Sequence, residues 1–306
     1  SDSDNNTTDD AAATPMVEIP SQRQLVEQHV SPEIMQSLEI ALANDPRGRA
    51  WVISSAYPGS FTPFTSFQPA TSLPHDAYRR SLSLRLLLHP TTEANGDLYR
   101  CQMCQRVDDV PSDEGIGELD RRFHGLNCPQ GQRARKLRHD LLRNALGDLL
   151  KRLFGAANVV LEPNLGPQVR VQPDIRLRIG MGVILIDLTI VNPACTSHVN
   201  HGSSTTEGAT AAFAEVEKRR KYADALTALH LSDDAFVPFA VECTGRLGSS
   251  AASFLQLLPS LPGASQSVDA QSAISFFEKR LRTICLRGNA RCLQDNEQRH
   301  RALVPQ

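Results

Sequence analysis

From residue 133 onward the chain switches repeatedly between two hydrophobic periods. Leu137, Leu141, Leu142, Ala145, Leu146, Leu149, Leu150 and Leu153 recur at helical spacing, with charged residues between them. That is the stripe of an amphipathic helix packed on one side, and Gly155 is placed to end it. Residues 159–161 form a short apolar run. Residues 169–179 alternate in part between apolar and polar, as a half-buried strand does, and Pro173 within them demands an edge position or a bulge. Gly182 then precedes the β-branched run 183–191, the composition of a buried strand. A polar loop carries His198, His201 and Gly202. Residues 209–229 are helical by composition and 236–242 form another strand. Gly245 and Gly248 turn the chain into a helix over 251–258, and a last helix is expected over 270–286. The order helix, three strands, helix, strand, helix predicts an α/β (α+β) fold with a mixed sheet covered on both faces. No internal repeat is visible.

The first hundred residues pattern less clearly. Residues 1–22 are polar, acidic and rich in Ser, Thr, Asn and Asp, the composition of a disordered tail. Ser31 and Pro32 have the form of a helix start, followed by Ile34, Met35, Leu38, Ala41 and Leu42 at helical spacing. Residues 58–74 read as a long loop, and 78–88 as a helix of ambiguous period.

Charge and cysteine content narrow the function class. The formal net charge is −2, so the chain as a whole is not a polycation for nucleic acid. Basic residues concentrate instead between Arg121 and Arg152, where Arg133, Arg135, Lys136 and Arg138 are the best placed to contact phosphates. Those contacts would supply affinity without sequence specificity; the polar face of an amphipathic helix would look the same. Aromatic residues are too few to suggest a stacking platform. No apolar run reaches the roughly 20 residues of a membrane span. The sequence opens on Ser with no signal-peptide pattern, as a piece of a longer protein would. Seven cysteines favour a reduced compartment over a disulfide framework.

Two constellations carry chemistry. Cys101 and Cys104, then His124 and Cys128, offer three thiolates and one imidazole, a donor set for tetrahedral structural zinc. The segment between the pairs has few apolar residues, so zinc would order it. The second constellation is acidic. Asp174 and Asp187 fall on consecutive strand-like segments, and Asp187 interrupts an apolar run, where an unpaired carboxylate costs several kcal/mol. A divalent metal shared by the two, with Glu162 as a third carboxylate, would account for both. Lys218, Lys221 and Tyr222 share one stripe of the following helix, and a lysine there could stabilise a hydroxide or a developing phosphorane charge. Singly, each feature has an ordinary explanation as a turn, a core residue or a solvated helix face. The pair His198 and His201 and the turn Thr244–Ser249 read as ordinary loop features, and no Walker or GxSxG sequence is present.

Together, Pro173-Asp174, Asp187 and Lys218-Arg-Arg-Lys221-Tyr222 resemble the restriction-like endonuclease domain of non-LTR retrotransposon polyproteins, within the PD-(D/E)XK nuclease superfamily. Arg138-His139-Asp140 looks like that family's basic-His motif, which adds His139 to the nucleic-acid-binding candidates. Glu162-Pro163 has a counterpart there, and the Cys/His group resembles its CCHC knuckle. The general superfamily places lysine two residues after the second carboxylate; here that position is Thr189, and in the retrotransposon branch the lysine has moved to the next helix. Both Lys218 and Lys221 fit, and a Glu217–Lys221 surface pair would favour Lys218. The resemblance implies a Mg²⁺- or Mn²⁺-dependent nicking endonuclease with structural Zn²⁺, leaving a 3′-hydroxyl to prime reverse transcription. It implies DNA as partner, element RNA as an open alternative, the polymerase portion of the same polyprotein, and a nuclear location. The expected division is a tail (1–22), a helical linker (23–95), a zinc knuckle (96–132), the nuclease domain (133–260) and a C-terminal helix and tail (261–306). The alternatives are an inactive nucleic-acid-binding module or a domesticated scaffold with the same fold.

Overall fold

The computed structural model describes residues 40, 42–87, 104, 121–167, 169–265 and 269–303. The expected disordered tail, the helix start at Ser31 and Pro32, and Cys101 lie outside the described residues. Asp45 caps α1 (Pro46–Ser55), accepting a hydrogen bond from the Gly48 amide at 2.8 Å, with Pro46 in the first turn. A single turn, α2 (Thr62–Thr65), interrupts the segment expected to be a long loop. Then follow α3 (His75–Arg85), α4 (Arg121–Asn127) and the long α5 (Gln132–Phe154), which ends at Gly155 with φ 85°.

The sheet forms next. Strands β1 (Val159–Leu161), β2 (Ile175–Ile179) and β3 (Gly182–Val191) pair antiparallel; α6 (Thr196–Asn200) and α7 (Ala209–Ala228) carry the chain to β4 (Phe236–Glu242), which lies parallel to β3. A parallel pair cannot be closed by a hairpin, so a helical crossover between β3 and β4 is required. Gly180 opens the two-residue β2–β3 turn with φ 56°, a conformation that tight hairpins need and that a Cβ would strain. Two helices complete the fold: α8 (Ser249–Leu257) and α9 (Ala270–Leu303).

Strand pairing begins at Ile175 rather than at residue 169, because Pro173 has no N–H to give a ladder. The short helix α6 stands where the sequence reads as a polar loop. The last helix runs to Leu303 rather than ending near 286. Its apolar positions continue: Ala290, Cys292 and Leu293 are all buried.

The mixed sheet separates two apolar layers. On one face α5 lays Leu142, Leu146, Leu150 and Leu153 against Ile175, Leu177, Ile186, Leu188, Phe239 and Val241, with α8 and α9 adding Phe254 and Phe277. On the other, α7 packs Tyr222 and Leu226 on Leu185 and Phe236. A second core joins Trp51, Phe123, Ala134 and Leu293, one residue from each of the four units drawn from the sequence after the tail. These four units therefore share a core.

Candidate active site

The antiparallel register lines up three carboxylates across one end of the sheet. Leu161 faces Ile175 and Ile175 faces Ile186. One step further along the chain puts Glu162 opposite Asp174, and Asp174 opposite Asp187. The Glu162 amide donates to the Asp174 carbonyl at 2.8 Å, continuing the ladder past its regular end. Asp174 itself accepts from the backbone amide of Leu188, its Oδ2 at 2.7 Å. The side chain thus occupies the place of a backbone acceptor where β2 has not yet begun.

Asp187 is buried, and α7 satisfies it. Lys218 Nζ donates to one carboxylate oxygen and the Tyr222 hydroxyl donates to the other at 3.0 Å. Tyr222 is fully buried and stacks on Phe236 with ring centroids 4.4 Å apart, so its hydroxyl is aimed by packing. Desolvation nevertheless pushes the Asp187 carboxyl above its ordinary range, against the pull of Lys218, and the Asp174 charge pushes the same way. Burial, helped by the Asp187 charge, raises the Tyr222 hydroxyl as well. It remains a donor throughout the ordinary pH range.

The other flank is built by α5. His139 presents Nε2 to Asp174 Oδ2 at 3.3 Å and Nδ1 to Asp140 Oδ1 at 3.6 Å. The hydrogen bond to Asp174 raises the His139 pKa, over the opposing effect of burial. Arg143, one turn along the same face, pairs with Glu162 and lies 3.3 Å from Asp140 Oδ1. Glu162 adopts a left-handed backbone, φ 46°, which costs a non-glycine residue on the order of 1 kcal/mol. The strain sits at the point where β1 delivers its carboxylate.

One of the expected phosphate contacts needs correcting. Arg138 is 4% exposed, donates to Asn289 Oδ1 on α9, and has its stem packed against Gly288. It faces the interior because the α5 surface on that side is covered by α9. His139 turns to the carboxylates rather than outward. Arg135 donates to the Cys128 carbonyl at 2.8 Å; Arg133 and Lys136 are exposed, and Lys136 lies 3.5 Å from Asp140.

Lysine geometry differs between the two candidates. Lys218 reaches Asp187, whereas the Lys221 ammonium lies 5.6 Å from the Tyr222 ring centroid and lines a cleft of about 540 Å³ together with Thr189 and Lys218. Glu217 pairs with Arg220 at 2.7 Å rather than with Lys221. Sequence reasoning does not single out Arg143 as a member of the site, and it places Asp140 only as the last residue of the basic-His motif. The signal was their position on the same helix face as His139. It also passed over Phe213, which no local pattern marks.

Away from the carboxylates, Cys104 Sγ lies 3.3 Å from His124 Nε2, and the ligand atoms of Cys104, His124 and Cys128 all lie within 4.8 Å of one another. Among the described residues no other three Cys, His or acidic groups converge so tightly, and Glu162, Asp174 and Asp187 do not close into such a trio. The sulfur–nitrogen separation suits ligands at tetrahedral zinc distances, about 2.3 Å for sulfur and 2.0–2.1 Å for nitrogen. Cys101 would be the fourth ligand of the expected set. Among the described residues no helix is long and apolar enough to cross a membrane. The chain matches no protein-family model and no curated protein.

Proposed function

We propose that this chain is a Mg²⁺-dependent DNA-nicking endonuclease of the restriction-like type, acting within a retrotransposon-type polyprotein. The observation that carries the reading is the meeting of Lys218, from a separate helix, with Asp187 on the strand that faces Asp174. The contact supports a displaced-lysine reading, with Thr189 standing where the general superfamily has its lysine. Asp174 and Asp187 would hold the ion, which needs only one or two carboxylates and keeps several waters; when bound, it supplies an activated water and neutralises phosphate charge. The Leu188 amide and the Tyr222 hydroxyl fix the two carboxylates. Lys218 stands beside Asp187, able to stabilise an attacking hydroxide or charge growing on phosphorus. His139 and Arg143 balance Asp174 and Glu162, and keep the acidic row compact. Cys104, His124 and Cys128 would hold a structural zinc with Cys101, and exposed Arg133 and Lys136 would contact DNA phosphates.

The test is nicking of supercoiled plasmid with Mg²⁺ or Mn²⁺. Wild-type protein should convert it to open circles, Asp174→Ala and Asp187→Ala should abolish conversion, and Lys218→Ala should slow it by about 10²–10³-fold, the range for removing one charge-stabilising donor. A folded wild type that binds DNA yet never nicks it makes the chain a binding module instead.

A further inference from the structure

The cleft beside Lys218 carries aromatic as well as charged side chains. Thr189, Lys218, Arg220 and Lys221 line it together with His198 and Phe213. Phe213 is half-buried on α7. Its ring lies 4.2 Å from the His201 ring, tilted by 36°, and meets the His198 ring edge-on at 5.8 Å. The Phe213 and His198 rings therefore share the cleft with three cations, one of them the candidate catalytic Lys218, and with the Glu217 carboxylate. His198 Nδ1 is buried and has no hydrogen-bond partner among the described residues. The cleft volume, about 540 Å³, falls in the range of small-ligand pockets, roughly 300–1,000 Å³. A nucleotide fits that space, and a double helix does not. A paired base also offers no free face, since both are already stacked.

We propose that this cleft takes one unpaired nucleotide of the DNA strand being cut, its base against Phe213 and its phosphate toward Lys221. Base–aromatic stacking tolerates any sequence, because every base has a π-face. Lys221 carries no ion-pair partner among the described residues, whereas Arg220 is partly neutralised by Glu217. The inference rests on the nuclease reading and names its substrate class: duplex bearing an unpaired stretch, in preference to uniform duplex.

The experiment compares equilibrium binding of the full chain, without added Mg²⁺, to a fluorescent duplex with a short single-stranded flap and to the same duplex without it. Wild type should bind the flapped form about tenfold more tightly, within the span that one stacked base contributes. Phe213→Ala should bring the ratio close to one, and Phe213→Tyr, which keeps the π-face, should restore it. Lys221→Ala, at an exposed position, should weaken flap binding on its own, so the proposal stays testable if Phe213→Ala unfolds. Equal affinities for wild type, or a ratio that survives in folded Phe213→Ala, overturns the cleft assignment. Because binding is read separately from nicking, the two failures are distinct. Nicking without flap preference rejects the cleft and leaves the nuclease, while flap preference without nicking does the reverse.

Discussion

A carboxylate in an apolar strand is tolerated only when its oxygens are satisfied. Asp187 meets that condition with one ammonium and one phenol, both supplied by α7. Glu162 is the opposite case: its carboxylate is half-exposed and its backbone is left-handed. Glycine takes that conformation freely, and an exposed ion pair contributes little. Glu162→Gly should therefore leave stability within about 1 kcal/mol of wild type, or raise it, while nicking falls; a loss well above that in urea unfolding would show the backbone is not strained. His198 gives a pH prediction. Burial, with the nearby His201 charge, lowers its pKa below 6.5, so the native state resists its protonation. Its contribution to stability is complete above about pH 6.5 and is lost as pH falls through the lowered value. His139, raised by Asp174, works in the opposite sense, present below about pH 6.5 and lost as pH rises. The difference between wild type and His198→Gln isolates the first effect: it should shrink steadily from pH 7 to pH 5 in thermal unfolding, and a pH-independent difference would rule it out.

At the scale of elements, α5 explains why one helix gives both site and core. His139 and Arg143 face the carboxylates, while Leu142, Leu146 and Leu150 face the sheet. Arg138 faces α9, and its closest approach there is to Gly288. A Cβ at Gly288 would lie 2.4–2.7 Å from the Arg138 Cβ, Cγ and Cδ atoms. Those atoms are the stem of a buried side chain and cannot swing away. Gly288→Ala should cost about 1–3 kcal/mol, as overpacking does, read as a lower urea midpoint at unchanged slope. Helix period placed Arg138 correctly on α5 but could not say which neighbour would cover it. The sequence pattern marked a polar face, and α9, whose C-terminal half was not foreseen, turned part of that face inward.

Over the whole molecule, the Cys/His group is tied to packing beyond its own loop. Phe123 and Leu126, on either side of His124, belong to the second core with Trp51, Ala134 and Leu293, and Trp51 and Phe123 have ring centroids 5.2 Å apart. The buried Glu242 extends the same junction: Ser54 donates to it, and Arg246 donates to the Ile53, Ser54 and Ala56 carbonyls at the end of α1. Loss of zinc should therefore destabilise more than a local knuckle. Purified protein is expected to carry about one equivalent of zinc by mass spectrometry. Cys104→Ser, or prolonged chelation, should lower the thermal midpoint of the main transition by roughly 5 °C or more. A midpoint that does not move would separate the Cys/His group from the fold.

What the sequence determined by itself is what depends on local period and residue type. The order of the core elements, their approximate bounds, the mixed sheet, the placing of Asp174 and Asp187 on consecutive strand segments and that of Lys218 and Lys221 on one stripe of the next helix all follow from spacing, because period-2 and period-3.6 patterns must each bury one face. Even Pro173, read as an interruption, marked the place where the ladder stops and a side chain takes over. Tertiary structure alone decided which lysine reaches Asp187, that His139 turns toward Asp174, that Arg138 is covered, and that Phe213, His198 and His201 stand together. Each of these depends on how elements far apart in the chain are laid against each other. A helix shows the residues on each of its faces in its sequence, but its neighbours only in its fold.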